Sequence, residues 1–282
     1  MILVTGAGGQ LGSDVMKELK RRSIPCAGIT RADLKLEDIT KIEEYFKTNS
    51  VTRVIHCAAY TMVDKAEEEK ELCYSANVVI TSNIAKVCKS LDIPMMYIST
   101  DYVFPGNGTA EYDIDDKKGP LNFYGKTKLE GEYEVTKALK KYFIVRISWV
   151  FGQNGNNFVK TMLKLGKEKD SVNVVADQIG SPTYTPDLSK LLCDMMKTDK
   201  YGIYHATNEG YCSWAEFAEE IFKIAGYNTK VNHIKSEEYK VAAERPKNSR
   251  LSKKILDIKK FDRLPHWKDA VKRHIENQTI IS

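Results

Sequence analysis

The chain begins Met1-Ile2-Leu3-Val4-Thr5-Gly6-Ala7-Gly8-Gly9-Gln10-Leu11-Gly12. Ile2, Leu3 and Val4 form a short apolar run that closes on Gly6, the pattern of a buried strand. Beyond it, Leu11, Val15, Met16 and Leu19 recur at helical spacing. Between the two, Gly6, Gly9 and Gly12 form a G-x-x-G-x-x-G junction. Glycine there permits a tight turn and lets backbone N–H groups approach a pyrophosphate at the positive end of the helix. Alone the motif is a weak signal, and a Gly-rich turn without a ligand is the alternative. Opening a βαβ unit, it predicts a dinucleotide site.

The rhythm continues outward. Strands are predicted over 25–30, 51–57, 95–99 and 142–151, and helices over 40–49, 78–91 and 125–141. The helix at 40–49 reads as opened by a capping box of Thr40 with Glu43. Strands alternating with helices predict an α/β fold, a Rossmann-type doubly wound parallel sheet covered on both faces. After Phe151 the rhythm changes to a Gly/Asn-rich turn and shorter elements, with a second capping box at Ser213 and Glu216. The expectation is an NAD(P)-binding domain over 1–151 with a returning segment within about 170–206. A smaller, mainly substrate-binding domain follows over 152–282.

The 282 residues are 42% hydrophobic and 29% charged, enough apolar material for a core and unlike a disordered chain. No apolar run approaches the roughly 18–20 residues of a membrane span, and no signal-peptide pattern opens the chain. The six cysteines lack C-x-x-C or zinc-finger spacing, so they read as free thiols of a cytoplasmic protein. The net charge of +5 is uneven: residues 230–282 hold 14 Lys/Arg against 7 Asp/Glu. A basic tail suits nucleic acid, a membrane surface, an anionic small molecule or a solvated face. No nucleic-acid module is recognisable, so neither nucleic acid nor membrane is the expected partner.

Three further stretches carry chemistry. The second strand ends Ile29-Thr30-Arg31, where an acidic residue would bond the 2′-hydroxyl of NAD. Arg31 instead suits a 2′-phosphate and predicts NADPH, with Asp33 leaving NADH open. Tyr124 and Lys128 stand four apart on one helix face. A phenol beside an ammonium and an oxidised nicotinamide has its pKa lowered, and it can exchange a proton with an oxygen that receives a hydride. Ser99-Thr100-Asp101 ends the fourth strand at the ligand crevice, where a Thr100 hydroxyl can donate to a carbonyl. Trp149 at a strand end offers a flat apolar wall, and Arg245 in the basic tail offers a charge-assisted donor for an anionic ligand.

These residues resemble one family. Gly9-Gln10-Leu11-Gly12, Ala58-Ala59-Tyr60-Thr61 with Val63-Asp64-Lys65-Ala66-Glu67, Ser99-Thr100-Asp101-Tyr102-Val103-Phe104, Pro120-Leu121-Asn122 leading to Tyr124-Gly125-Lys126-Thr127-Lys128, Arg146 with Ser148-Trp149-Val150, and Arg245-Pro246 with Asn248-Ser249-Arg250-Leu251 are similar to the motifs of the dTDP-4-dehydrorhamnose reductases. These are extended short-chain dehydrogenase/reductases. The resemblance implies that NADPH reduces the C4 keto group of dTDP-4-dehydro-L-rhamnose to give dTDP-L-rhamnose. It implies that Gly9, Gln10 and Leu11 hold the pyrophosphate, that Asp38 and Ile39 flank the adenine, and that Ala58, Ala59, Tyr60 and Thr61 line the cofactor. Tyr124 and Lys128 would serve catalysis and also bind the cofactor, Lys128 on the nicotinamide ribose, and Thr100, Asp101 and Trp149 would contact the sugar nucleotide, with Arg245 on its diphosphate. Ile98 departs from members with an aromatic residue there. The resemblance also admits Mg2+ and a homodimer, but no local Asp/Glu/His cluster assigns a metal. Two other functions share these motifs: an NAD-retaining nucleotide-sugar epimerase or dehydratase, and a non-catalytic regulatory subunit like that of methionine adenosyltransferase.

Overall fold

A computed structural model describes residues 1–279 of the chain. Its main sheet is built from β1 (Ile2–Thr5), β2 (Cys26–Ile29), β3 (Arg53–His56), β4 (Met95–Thr100), β5 (Tyr142–Ile147) and a strand at Gly202–His205. All six are parallel, and from edge to edge the order is Gly202–His205, β5, β4, β3, β1, β2. The apolar run at the N-terminus is explained by this placement. Ile2 and Val4 enter the core on one face of the sheet and Leu3 the core on the other.

Helix α1 (Gln10–Arg21) and the helix Thr185–Met195 cover the first face. On the second lie α2 (Ile39–Thr48) and a longer helical run. That run starts as α3 (Lys70–Tyr74), passes a π-helical turn at Ser75–Val79 and continues as α4 (Ile80–Ser90). α5 (Phe123–Ala138) completes the layer. The chain winds from β1 to β2 on one side, then crosses back to β3 on the other. That reversal opens a crevice at the carboxyl ends of β1 and β3, where such sheets bind ligands.

Two local expectations are corrected. The Thr40–Glu43 box does not form. Asp38 caps α2 instead, its carboxylate accepting from the backbone N–H of Thr40 at 3.1 Å and of Lys41 at 3.3 Å. The strand expected over 142–151 breaks at Ser148-Trp149. Trp149 has φ +49°, a left-handed conformation that a bulky residue adopts only under constraint. Val150–Phe151 therefore leaves the sheet and pairs with Thr183–Tyr184. The box of Ser213 with Glu216 does form and opens the helix Trp214–Ala225.

A second core gathers Phe151, Val159, Phe217, Ile221 and Trp267. Beside it the strands Ser171–Val175 and Lys230–Ile234 pair in parallel. The chain also returns to the first core, through the helix Thr185–Met195, the strand Gly202–His205, and Leu256 and Leu264. All six cysteines are unpaired. No helix among the described residues is long and apolar enough to cross a membrane.

Candidate active site

The crevice begins at the glycine turn. Gly6 has φ +67°, and a Cβ on it would lie 2.7 Å from the Ala58 nitrogen at the end of β3. A Cβ on Gly12 would lie 2.2 Å from the Gly6 oxygen. Both positions demand glycine for the turn to close under α1. Gly9 caps α1 without a side-chain bond, and the first turn carries no acidic residue. The helix N-terminus is thus free for an anion.

A cavity of about 510 Å³ runs from Gly6, Gly8 and Gly9 past Arg31 to Leu36 and Glu37. Asp33 is not free to compete with Arg31. Its carboxylate accepts from the Thr30 N–H at 2.8 Å and the Thr30 hydroxyl at 2.7 Å, and these bonds hold its pKa below the usual range. Asp38 and Ile39 do not line this cavity, because Asp38 is spent on the cap of α2; Leu36 and Glu37 stand there instead.

A second cavity of about 440 Å³ shares Gly9, Cys57 and Ala59 with the first. Gln10, Leu11, Thr61, Thr100, Asp101, Tyr124, Lys128 and Trp149 all stand on its wall. Asn122 caps α5 by accepting from the Gly125 N–H at 2.8 Å, which sets Tyr124 in the first turn. The Tyr124 phenol shares this wall with Thr100 and packs edge-on against Tyr102, ring centroids 5.6 Å apart. The Lys128 Nζ donates to the Ile98 carbonyl at 2.7 Å and lies 4.0 Å from the centre of the Tyr97 ring.

Electrostatics here differ from the sequence expectation. Burial raises the Tyr124 phenol well above its ordinary range, and Thr100 opposes that only in part. Burial pushes the Lys128 ammonium down to about 7, while Glu132, one turn further along α5, holds it up. The ammonium is turned to Ile98 and Tyr97, and it is not among the groups that shift the phenol. The Thr100 hydroxyl donates to Asp101 at 2.9 Å, so its proton is already committed.

Asp101 is 3% exposed, and burial lifts it from 3.8 to about 6 against hydrogen bonds from Ser249 and Thr100. Its folded pKa lies above the unfolded value, so the folded chain binds this proton first. Stability from this group is full below the unfolded pKa and is lost as pH rises through the folded one. Asp101→Asn mimics the protonated acid. By denaturant unfolding it is expected to exceed wild type by about 2 kcal/mol at about pH 8 and to lose that advantage near about pH 4. Equal stability of the two proteins at both pH values would contradict the shift.

Other expected site residues fall elsewhere. Tyr60 is buried with its phenol hydrogen-bonded to Glu69, and Asn77 of the π-helical turn clips its backbone, accepting from the N–H at 2.8 Å and donating to the carbonyl at 3.1 Å. It supports the loop and lines neither cavity. Arg245 lines neither cavity and is paired with Asp64 at 2.6 Å, so it straps the 59–67 loop to the C-terminal segment. The basic tail does not reach the cavity walls. Arg263 and Arg273 are likewise paired with acids. Gln10 accepts from Asn157 at 3.0 Å and donates to the Asn156 carbonyl, tying α1 to the 152–157 turn.

The sequence also left wall residues without a role. Gly8, Val63 and Tyr102 lie inside motifs that were noticed, while Asn156 lies in a stretch read only as a turn. Trp149 stacks on Trp214 at 3.7 Å and 12°, a partner brought from the start of a distant helix. No group of three or more His, Cys, Asp or Glu side chains that could hold a metal occurs among the described residues.

The family described as RmlD substrate binding domain matches residues 1–280. The dTDP-4-dehydrorhamnose reductase of Aggregatibacter actinomycetemcomitans is 41% identical over 292 residues, covering 96% of this chain and 97% of the relative. The chain belongs to the dTDP-4-dehydrorhamnose reductase family. Within that family, the crystal structure from Clostridium acetobutylicum is 40% identical with a TM-score of 0.96, covering 99% of both chains. The one from Bacillus anthracis, in complex with NADP, is 40% identical with a TM-score of 0.95 and covers 98% of both.

Proposed function

We propose that the chain reduces the C4 keto group of dTDP-4-dehydro-L-rhamnose with NADPH to give dTDP-L-rhamnose, a precursor of cell-surface polysaccharide. The observation that carries it is the placement of Thr100, Tyr124 and Lys128 on the wall of a cavity continuous with the Gly6–Gly9 cradle. The open N-terminus of α1 and the glycines beneath it fit a dinucleotide pyrophosphate. Bound there, NADPH supplies the hydride.

The protein's own groups do the rest. Tyr124 gives the proton to the C4 oxygen, and its raised pKa keeps it protonated, as reduction requires. Thr100 stands beside the phenol on the same cavity wall and orients it. Lys128, on the same cavity wall, supplies positive charge to the site. Trp149, backed by Trp214, walls the sugar. The unpaired thiols suit a cytoplasmic location. A homodimer belongs to the same proposal on family grounds.

The test is NADPH consumption with several nucleotide 4-keto sugars and both cofactors. Rapid turnover with the dTDP-sugar is expected, and none with any keto sugar would refute the proposal. Arg31 gives the cofactor prediction. Arg31→Ala should raise KM for NADPH about 10–100-fold, the loss of about 1.5–3 kcal/mol from charge-assisted bonds to the 2′-phosphate. KM for NADH should hardly move. Equal changes for both cofactors would remove Arg31 from that role.

A further inference from the structure

Tyr124, Lys128 and Glu132 recur every fourth residue and form one stripe along α5. Each meets a different residue of the β4 end. Tyr124 meets Thr100, Lys128 the Ile98 carbonyl, and Glu132 the Ser99 hydroxyl, which donates to it at 2.5 Å. Glu132 is further gripped by Arg146 of β5, whose Nε and Nη2 donate to its two oxygens at 2.8 and 2.7 Å. Arg146 is fully buried and Glu132 is 3% exposed. Taking such a pair out of water is costly, and well-packed apolar residues are often as stable. Stability is therefore a weak reason for placing it directly behind the active-site strand.

We propose that Glu132 is a positioning residue for the reduction: clamped by Ser99 and Arg146, it holds a negative charge one turn along α5 from Lys128 and so supports that side chain under the active site. This rests on the reductase function proposed above. Of the two acids nearby, Glu132 is the one that holds the ammonium up, while Asp101, on the same cavity wall, accepts from Thr100 and Ser249. Cys57, after β3, is pushed up to about 12 by burial, and Cys73 of α3 is also raised, so both thiols are neutral. His56 of β3 is pushed down to about 3 by burial and is neutral too. The Tyr97 ring of β4 offers its face, and Tyr124 remains a phenol. Arg146 lies beyond Glu132 and holds the carboxylate in place.

The experiment uses the full chain with Glu132→Gln. Reduction and NADPH binding, followed by the cofactor's fluorescence, are measured across the pH range. With the carboxylate removed, Lys128 should lose its proton about one pH unit earlier, so kcat/KM should fall about tenfold more above the alkaline limb than below it. NADPH affinity should weaken over the same shifted range, a readout that needs no turnover. A purely structural role would lower melting temperature and active fraction alike at every pH. Because Glu132→Gln leaves a buried guanidinium unpaired, Glu132→Gln with Arg146→Gln is made in parallel and should show the same shift. If either folded variant keeps the wild-type alkaline limb and the wild-type pH dependence of NADPH binding, the proposal is overturned. Wild-type protein that binds NADPH but reduces no keto sugar would instead sink the function, and the binding profiles would still decide the role of Glu132.

Discussion

Tyr124→Phe is expected to lower kcat for reduction by about 10²–10⁴-fold, the range of one general acid. The substitution removes a single oxygen. The ring keeps its edge-on packing against Tyr102 and its place in the buried cluster with Tyr60, Ala66, Cys73 and Ala76. Folding and NADPH binding should therefore hardly change. The loss belongs to kcat because the proton moves only in the transition state. Burial keeps the wild-type phenol protonated through neutral pH, so the wild-type kcat should not fall there through loss of that proton. Turnover by Tyr124→Phe near the wild-type rate would remove Tyr124 as the acid. So would an equal loss in NADPH affinity, which would mark a binding role.

How much of this was legible depended on sequence distance. The Gly6–Gly12 turn, the alternation of strands and helices, and the Tyr124/Lys128 spacing are local patterns. Each was readable because its cause, a tight turn, a two-faced sheet or a helix face, acts within a dozen residues. The failures came from competition or from long range. Asp38 took the cap of α2 because its carboxylate reaches the Thr40 and Lys41 amides, which composition cannot rank against a Thr40 box. The apolar run 142–151 gives no sign that Trp149 turns left-handed and sends Val150 to Thr183. Arg245 looked free for a diphosphate because Asp64 is its neighbour only in space. Lys128 looked like the agent that lowers the phenol, but its charge depends on the burial around it and on Glu132.

The largest stability effect is expected from Arg146→Met, a loss of about 3–5 kcal/mol. The guanidinium fills a closed site: besides its two bonds to Glu132 it donates to the Ile114 carbonyl at 2.9 Å and lies 5.1 Å from the centre of the Phe104 ring. Met restores much of the volume and none of the charge. Glu132 is then a buried carboxylate held only by Ser99. For a chain of this size the change should lower the melting temperature by roughly 10 °C, at about 2–4 °C per kcal/mol. Glu132→Leu combined with Arg146→Met removes both charges and should recover most of the loss, because the penalty arises from the unpaired ion and not from the missing contact. The cycle separates two roles that overlap in space. If the pair serves stability, the double variant stays as unstable as Arg146→Met. If it serves Lys128, the double variant melts near wild type yet loses activity at alkaline pH, since the buried lysine then lacks the Glu132 carboxylate that helps hold its proton.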